Sequence, residues 1–255
     1  MRAPVAALAL VLLAAACGGQ EVVVPSPSVT PAAAIVTAPV LASPSPAAEK
    51  DPHATIVVRA IGSAFRLYDG PGPGAERVGN LGATNDWGEA IALPVLARFT
   101  DVQGNAWLRV ELPTRPNGSH AWIRADQVTT REVTGKIVVD LSRHSLTRYD
   151  DGTRVAHYRV AIGSPTFPTS TGDFFVWAKV PYTDTAGPYG VFALGLSGFS
   201  DVITDWPGGG RMAIHGTANP ADRGQAVSHG CVRVYNPEMR TLEDVSMGTP
   251  VLIHP

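Results

Sequence analysis

Apolar and polar positions are distributed very unevenly along the chain. An uncharged apolar run extends from Val5 to Ala16. Between Gly18 and Ala48 the only charged residue is Glu21, set among repeated Pro, Ser, Thr and Ala. From residue 52 onward, short apolar stretches alternate with turn residues, and within several of them apolar and polar positions alternate with a period of two. That period puts the apolar side chains on one face of an extended strand. Ala54–Arg59, Phe65–Tyr68, Ile91–Phe99, Ala106–Leu112 and Ala121–Arg124 read as strands. Asp69-Gly70, the Pro-Gly-Pro-Gly at 71–74, and Pro113–Ser119 read as turns. Pro94 cannot donate to a ladder, so its strand is expected at an edge or bulge. The set predicts a small barrel or sandwich over residues 52–130.

The pattern continues over residues 134–255. Lys136–Leu141, Ser145–Tyr149, Val155–Ala161, Asp173–Val180, Arg211–Gly216 and Thr249–His254 are strand candidates. Asp151-Gly152 is a hairpin turn signal. Asn236-Pro237 followed by Glu238 places a capping residue before proline at a helix start, and the helix is expected to run to about Val245. The fold class is therefore mainly β: a small barrel, then a larger β domain with one short helix.

The first 51 residues read as a targeting segment and a spacer. Arg2 precedes the apolar run, which is too short to span a hydrocarbon core of roughly 30 Å. Ala14-Ala15-Ala16-Cys17 resembles a bacterial lipobox, which makes residues 1–16 a lipoprotein signal peptide and Cys17 the lipidated residue. The alternatives are a plain secretory leader with an incidental cysteine and a retained membrane anchor; all three readings export the rest of the chain. Residues 17–51, with Pro25, Pro27, Pro31, Pro39, Pro44 and Pro46, read as a semi-extended tether. At ~3.1 Å per residue such a spacer reaches up to ~90 Å.

Composition narrows the field. The chain has 255 residues and formal net charge −2, so bulk charge offers nothing to nucleic acid. With 26 Gly and 22 Pro it is too turn-rich for a helical bundle. Its 2 cysteines, Cys17 and Cys231, exclude a disulfide scaffold and a multi-cysteine zinc fold. If Cys17 goes to lipid or is removed, Cys231 is an unpaired thiol in an exported protein, where oxidation makes such a thiol a liability.

The surroundings of Cys231 suggest why it is kept. The sequence reads His215-Gly-Thr and, further on, Ser228-His229-Gly230-Cys231-Val-Arg233. A thiol with a pKa of about 8.5 becomes a competent nucleophile when an imidazole takes its proton. Gly230 permits a tight turn and lets a carbonyl approach the backbone amides of Gly230 and Cys231. Two other readings stand beside this one. Cys231 is a buried structural residue with surface histidines, or it is part of a His/His/Cys zinc site, for which the spacing is tight and no fourth ligand is evident.

His215-Gly-Thr with Ser228-His-Gly-Cys-Val-Arg resembles the signature of the L,D-transpeptidases of bacterial cell walls, the YkuD-type catalytic domain. The resemblance covers most of residues 134–255. It includes Pro168-Thr-Ser-Thr-Gly-Asp-Phe174, Tyr189-Gly-Val-Phe-Ala-Leu and Gly248-Thr-Pro-Val. Departures are a somewhat short gap between His215 and Ser228, Arg233 where many members have Asn, and Ser170 where Pro is common. The stretch Trp107–Ser119 with Ala121–Asp126 resembles the end of a bacterial SH3-like domain. The resemblances imply an SH3-like barrel over 52–130 and a YkuD-like β-sandwich over 134–255. They imply a cysteine acyltransferase acting on peptidoglycan stem peptides without a cofactor. Cys231 attacks the carbonyl of the third stem residue, D-alanine leaves, and the amine of a second stem resolves the acyl-enzyme into a 3→3 cross-link. Water as acceptor makes the same scaffold an L,D-carboxypeptidase; a vestigial catalytic domain leaves a wall-binding lipoprotein. His215 is the implied base, with a backbone group or Thr217 to orient it. His229 is counted with Cys231 and His215 as catalytic, its ring in the pocket and its amide in the oxyanion region; Ser228 is assigned to the pocket, Gly230 to the oxyanion region, Tyr189 to the acyl pocket, and Arg233 to a substrate carboxylate or a structural ion pair. The implied location is outside the cytoplasmic membrane, anchored through Cys17 and acting in the wall.

Overall fold

A computed structural model describes residues 53–205 and 208–255. The leader, Cys17, the tether and the Trp206-Pro207 dipeptide lie outside these. The described residues all fall in one unit by contact clustering.

The first seven strands are β1 (Thr55–Ala60), β2 (Ala64–Tyr68), β3 (Arg77–Gly82), β4 (Leu93–Thr100), β5 (Ala106–Glu111), β6 (His120–Arg124) and β7 (Val128–Val133). They pair antiparallel in the order β3-β2-β6-β5-β4-β1-β7. The two tryptophans of β5 and β6, Trp107 and Trp122, are buried, and Trp107 Nε1 donates to Asp101 Oδ2 at 2.9 Å. Pro94 does not sit at an edge: β4 lies between β5 and β1, but its register slips between Val95 and Ala97, so the bulge reading holds.

The remaining strands are β8 (Gly135–Asp140), β9 (Ser145–Asp150), β10 (Thr153–Arg159), β11 (Ile162–Gly163), β12 (Gly172–Pro181), β13 (Phe192–Phe199), β14 (Arg211–Thr217), β15 (Ala226–Ser228), β16 (Val232–Tyr235) and β17 (Pro250–His254). Eight of them form one sheet in the order β10-β9-β8-β17-β12-β13-β14-β16, and β11 pairs with β15. The hairpin expected at Asp151-Gly152 joins β9 to β10.

β12 serves both halves of this sheet. Its first four residues pair with β17 and the rest with β13. The sheet thereby folds over, and Ile137, Val139, Leu146, Val251 and Ile253 from one half meet Leu194, Leu196, Ile214, Val232 and Val234 from the other in a single core. The opposite face of β12 is buried as well: Phe175, Trp177, Ala178 and Val180 pack with Val58, Phe65, Leu93, Leu108 and Ile123 of the N-terminal strands. A register shift between Val176 and Ala178 changes the parity, which is why 175, 177, 178 and 180 share that face. The N-terminal sheet and the folded sheet thus share a hydrophobic core rather than meeting at a polar seam.

The expected helix is much shorter than its sequence signal. Asn236–Met239 is α-helical and Arg240–Leu242 continues as a 3-10 turn. Asn236 is inside the helix and does not cap it; its side chain bonds Val191 and Thr185 instead.

Candidate active site

Two short parallel strands bring Cys231 and His215 together. In β14 and β16, Ile214 pairs with Val232 and His215 with Arg233. Cys231 immediately precedes β16, so this register carries it level with Ala213, whose N–H donates to the cysteine sulfur. The period of two turns Ala213 and His215 to one face. Both Cys231 and His215 line a cavity of about 270 Å³.

The Cys231 turn is built by Ser228 and Gly230. Ser228 Oγ donates to the Cys231 carbonyl at 2.5 Å and accepts the Gly230 N–H at 3.1 Å. Gly230 has φ +106°, outside the range of ordinary side chains, so its backbone angle rather than lack of space calls for glycine; the Pro168 carbonyl lies at contact distance from where a Cβ would stand. The Gly230 amide is therefore already committed to Ser228, and Ser228 is a turn builder rather than a polar group offered to a ligand. The Pro168-Thr169-Ser170 stretch backs this turn. Thr169 Oγ1 accepts the Gly163 N–H at 2.8 Å, and Ser170 Oγ accepts the Asp201 N–H at 3.0 Å. A proline at position 170 would offer no such oxygen.

His215 is 3% exposed. Its Nδ1 lies 2.9 Å from the Gly216 carbonyl, which can only accept, so Nδ1 carries the proton and Nε2 is the basic nitrogen. The orienting group is thus backbone. Thr217 does not take that part: its hydroxyl donates to Asp222 Oδ2 at 2.9 Å. Burial pushes the His215 pKa down to about 4, with Arg233 adding to the effect and the Gly216 bond opposing it. Burial likewise pushes the Cys231 thiol up, against the Ala213 N–H and the Arg233 charge. The resting pair is neutral thiol and neutral imidazole.

Arg233 stands beside both. Its Nη1 lies 3.3 Å from Asp222 Oδ2, so the ion-pair reading is realised. Asp222 also accepts from Asn219 Nδ2 at 2.8 Å. Arg233 Nε is buried with no protein partner among the described residues.

Tyr189 roofs the histidine, with ring centroids 5.2 Å apart in a T-shaped contact, and is itself stacked on Tyr182 at 5.2 Å. The segment carrying it is held by Asn236, whose Oδ1 accepts the Val191 N–H at 3.1 Å and whose Nδ2 donates to the Thr185 carbonyl at 2.9 Å. His229 lines the same cavity but is exposed, with its ring 4.8 Å from that of Phe167. It is a rim residue, unlike the enclosed His215. Asp222 was not singled out from the sequence, and Asn236 was read there only as a helix cap. Their roles come from strand register and from a loop far away in sequence; the one local signal was Asn219-Pro220 before Asp222, where the Asn219 side chain accepts from Ala221 N.

Residues 134–253 match the family model of the YkuD, or L,D-transpeptidase, catalytic domain. A putative L,D-transpeptidase YkuD of Bacillus licheniformis is 33% identical over 121 residues, covering 47% of this chain and 66% of that protein. The Bacillus subtilis counterpart is 32% identical over 119 residues, covering 46% and 65%. The chain thus spans just under two thirds of these relatives. Among solved structures, the catalytic domain of an E. faecium L,D-transpeptidase acylated by ertapenem is 28% identical, covering 47% of this chain and 96% of that one, with a TM-score of 0.37. An L,D-transpeptidase from Mycobacterium smegmatis is 17% identical, covering 59% and 91%, with a TM-score of 0.39.

Proposed function

We propose that this chain, whose residues 134–253 match the YkuD catalytic domain, is an L,D-transpeptidase that joins peptidoglycan stems through an acyl-enzyme on Cys231. The observation that carries the reading is the pairing of Cys231 with an enclosed, neutral His215 on one cavity.

The chemistry follows from those two groups. The Cys231 sulfur attacks the carbonyl carbon of the third stem residue as its proton passes to His215 Nε2. The negative charge that develops on the carbonyl oxygen requires N–H donors. With the Gly230 amide taken by Ser228, the Cys231 amide and that of His229 are the candidates in this turn. Collapse breaks the bond to D-alanine, whose amine takes the proton from His215. The thioester is then attacked by the amine of a second stem, which forms the 3→3 cross-link and returns the proton to the thiolate. Because the resting pair is neutral, His215 acts as a base during attack and does not hold a standing thiolate.

Arg233 is held by Asp222 close to both reacting groups. Its charge favours the anionic sulfur and disfavours a protonated His215, so in this reading it keeps the base ready. We read residues 52–130 as the SH3-like domain, residues 1–16 as the leader, Cys17 as the lipidated residue and 17–51 as the tether of an enzyme working in the wall outside the cytoplasmic membrane.

The test is product analysis with tetrapeptide stems. Cross-linked dimers support the transpeptidase. Tripeptide alone means that water is the acceptor, and no product from folded protein leaves a non-catalytic wall-binding role.

A further inference from the structure

The turn between β5 and β6 belongs to the N-terminal sheet, yet its side chains reach the wall of the Cys231 cavity. Arg115 Nη2 lies 3.0 Å from the Ser200 carbonyl, 3.0 Å from that of Ile203 and 2.9 Å from that of Gly209. The guanidinium sits 4.8 Å from the centre of the Phe199 ring. Beside it, Asn117 and Phe199 exchange two bonds: Phe199 N–H donates to Asn117 Oδ1 at 2.9 Å, and Asn117 Nδ2 donates to the Phe199 carbonyl at 2.8 Å. Arg211 of β14 answers from the other side, donating to the Pro113 carbonyl at 3.1 Å. Ile203, Gly210 and Arg211 all line the cavity that holds Cys231 and His215.

Three carbonyl oxygens converging on one point repel one another unless a donor stands between them, and a cationic donor is the strongest kind. Arg115 is that donor. It brings the chain leaving β13 together with the chain entering β14, and the Ser200 N–H to Gly210 carbonyl bond at 2.7 Å closes the same junction. Nothing in the catalytic motif itself supplies this clamp.

We infer that Arg115 is a positioning residue of the active site: through it the N-terminal sheet fixes Ile203 and Gly210, which line the cavity where the stem binds. The inference rests on the transpeptidase reading for its substrate. On this account residues 52–130 serve catalysis by shaping the site, beyond any contact of their own with the wall.

The experiment uses Arg115→Ala, Arg115→Lys and the unaltered chain, each with three readouts. With tetrapeptide stems, Arg115→Ala raises KM about tenfold with a smaller change in kcat, because the displaced groups bind rather than react. Arg115→Lys recovers part of the loss, since an ammonium is a cationic donor with three N–H of its own. Iodoacetamide, too small to need the wall, alkylates Cys231 at the unaltered rate in all three. Amide hydrogen exchange at Ile203 and Arg211 quickens in Arg115→Ala and is partly restored in Arg115→Lys, a readout that needs no turnover. Unchanged exchange and unchanged KM in Arg115→Ala overturn the inference. So does an equal loss of iodoacetamide reactivity in Arg115→Ala and Arg115→Lys, which marks a merely structural role. If the unaltered chain turns over no stem, the transpeptidase reading fails, and the exchange result still decides whether Arg115 holds the wall.

Discussion

Asp222 accepts from Arg233 at 3.3 Å, and this pairing fixes a cation next to a thiol and an imidazole that are both neutral at rest. Asp222 is itself held by Thr217 and Asn219, so the cation is placed by a carboxylate that two further side chains fix. Replacing Arg233 changes the electrostatics of the pair without removing either reacting group.

Arg233→Asn is therefore expected to raise the pKa of Cys231 and of His215 together. The cation lowers the first by favouring the thiolate and the second by disfavouring the imidazolium. Iodoacetamide alkylation followed against pH reads the thiol directly, and its midpoint should move to higher pH. A midpoint that stays or falls would contradict the assignment.

His215 gives a pH signature of its own. Its pKa drops from an ordinary 6.5 to about 4 in the fold, because burial penalises the charged ring. The unfolded chain thus binds more protons between those values, and stability is complete above pH 6.5 and lost as pH falls toward 4, by on the order of 3 kcal/mol. Acylation of the free enzyme should keep its base down to about pH 5, with the acid limb near 4. A limb centred at 6.5 would place the base elsewhere. Substituting His215 by Phe should remove this acid sensitivity from urea denaturation curves while abolishing acylation.

Glu111 works in the opposite sense. It lies at the end of β5 beneath the shared core, and burial raises its carboxyl to about 7, with Asp173 adding and the Ser197 hydroxyl at 3.3 Å opposing. The folded chain holds the proton more tightly than the unfolded one, whose value is 4.5. Stability from this group is complete below pH 4.5 and lost as pH rises through 7, by about 3 kcal/mol. Glu111→Gln keeps the size and removes the charge. It should raise the urea midpoint at pH 8 and leave it nearly unchanged at pH 4; no gain at pH 8 would mean that the carboxylate is solvated.

Gly216 sits where backbone must pass close to backbone. A Cβ there would collide with Asn236 Oδ1 and lie 2.9 Å from Val191 N. Gly216→Ala should dislodge Asn236 from Val191, loosen the segment bearing Tyr189 and cost about 1–3 kcal/mol. Thermal unfolding reads the stability, and loss of stem acylation at temperatures where the variant stays folded reads the effect on the site.

The parts of the fold legible in the sequence were those with one buried face. Strands such as β2, with Phe65 and Leu67 buried and Arg66 exposed between them, declare themselves through a period of two. β13 does not, because Phe192–Phe199 is buried on both faces and shows no alternation. β3 fails for the opposite reason: Arg77–Gly82 is mostly exposed and carries two glycines, which read as turn. The helix was overestimated because the Asn236-Pro237-Glu238 signal is real as a start but Asn236 spends its side chain on Thr185 and Val191. Cys231 and His215 were legible because a lone thiol and two histidines stand in two short, recognisable stretches. Asp222, Arg115 and the site contacts of Asn236 were not, since each acts on residues that only folding brings near.

If Cys231 carries the acyl group, intact mass spectrometry of the protein incubated with tetrapeptide stems reads it as a covalent adduct. The expected adduct equals the stem less its terminal D-alanine, is localised by peptide mapping to Cys231, and is lost in Cys231→Ser together with product formation. A folded protein that turns over stems with no adduct on Cys231, or a Cys231→Ser variant with full activity, would contradict that role for Cys231.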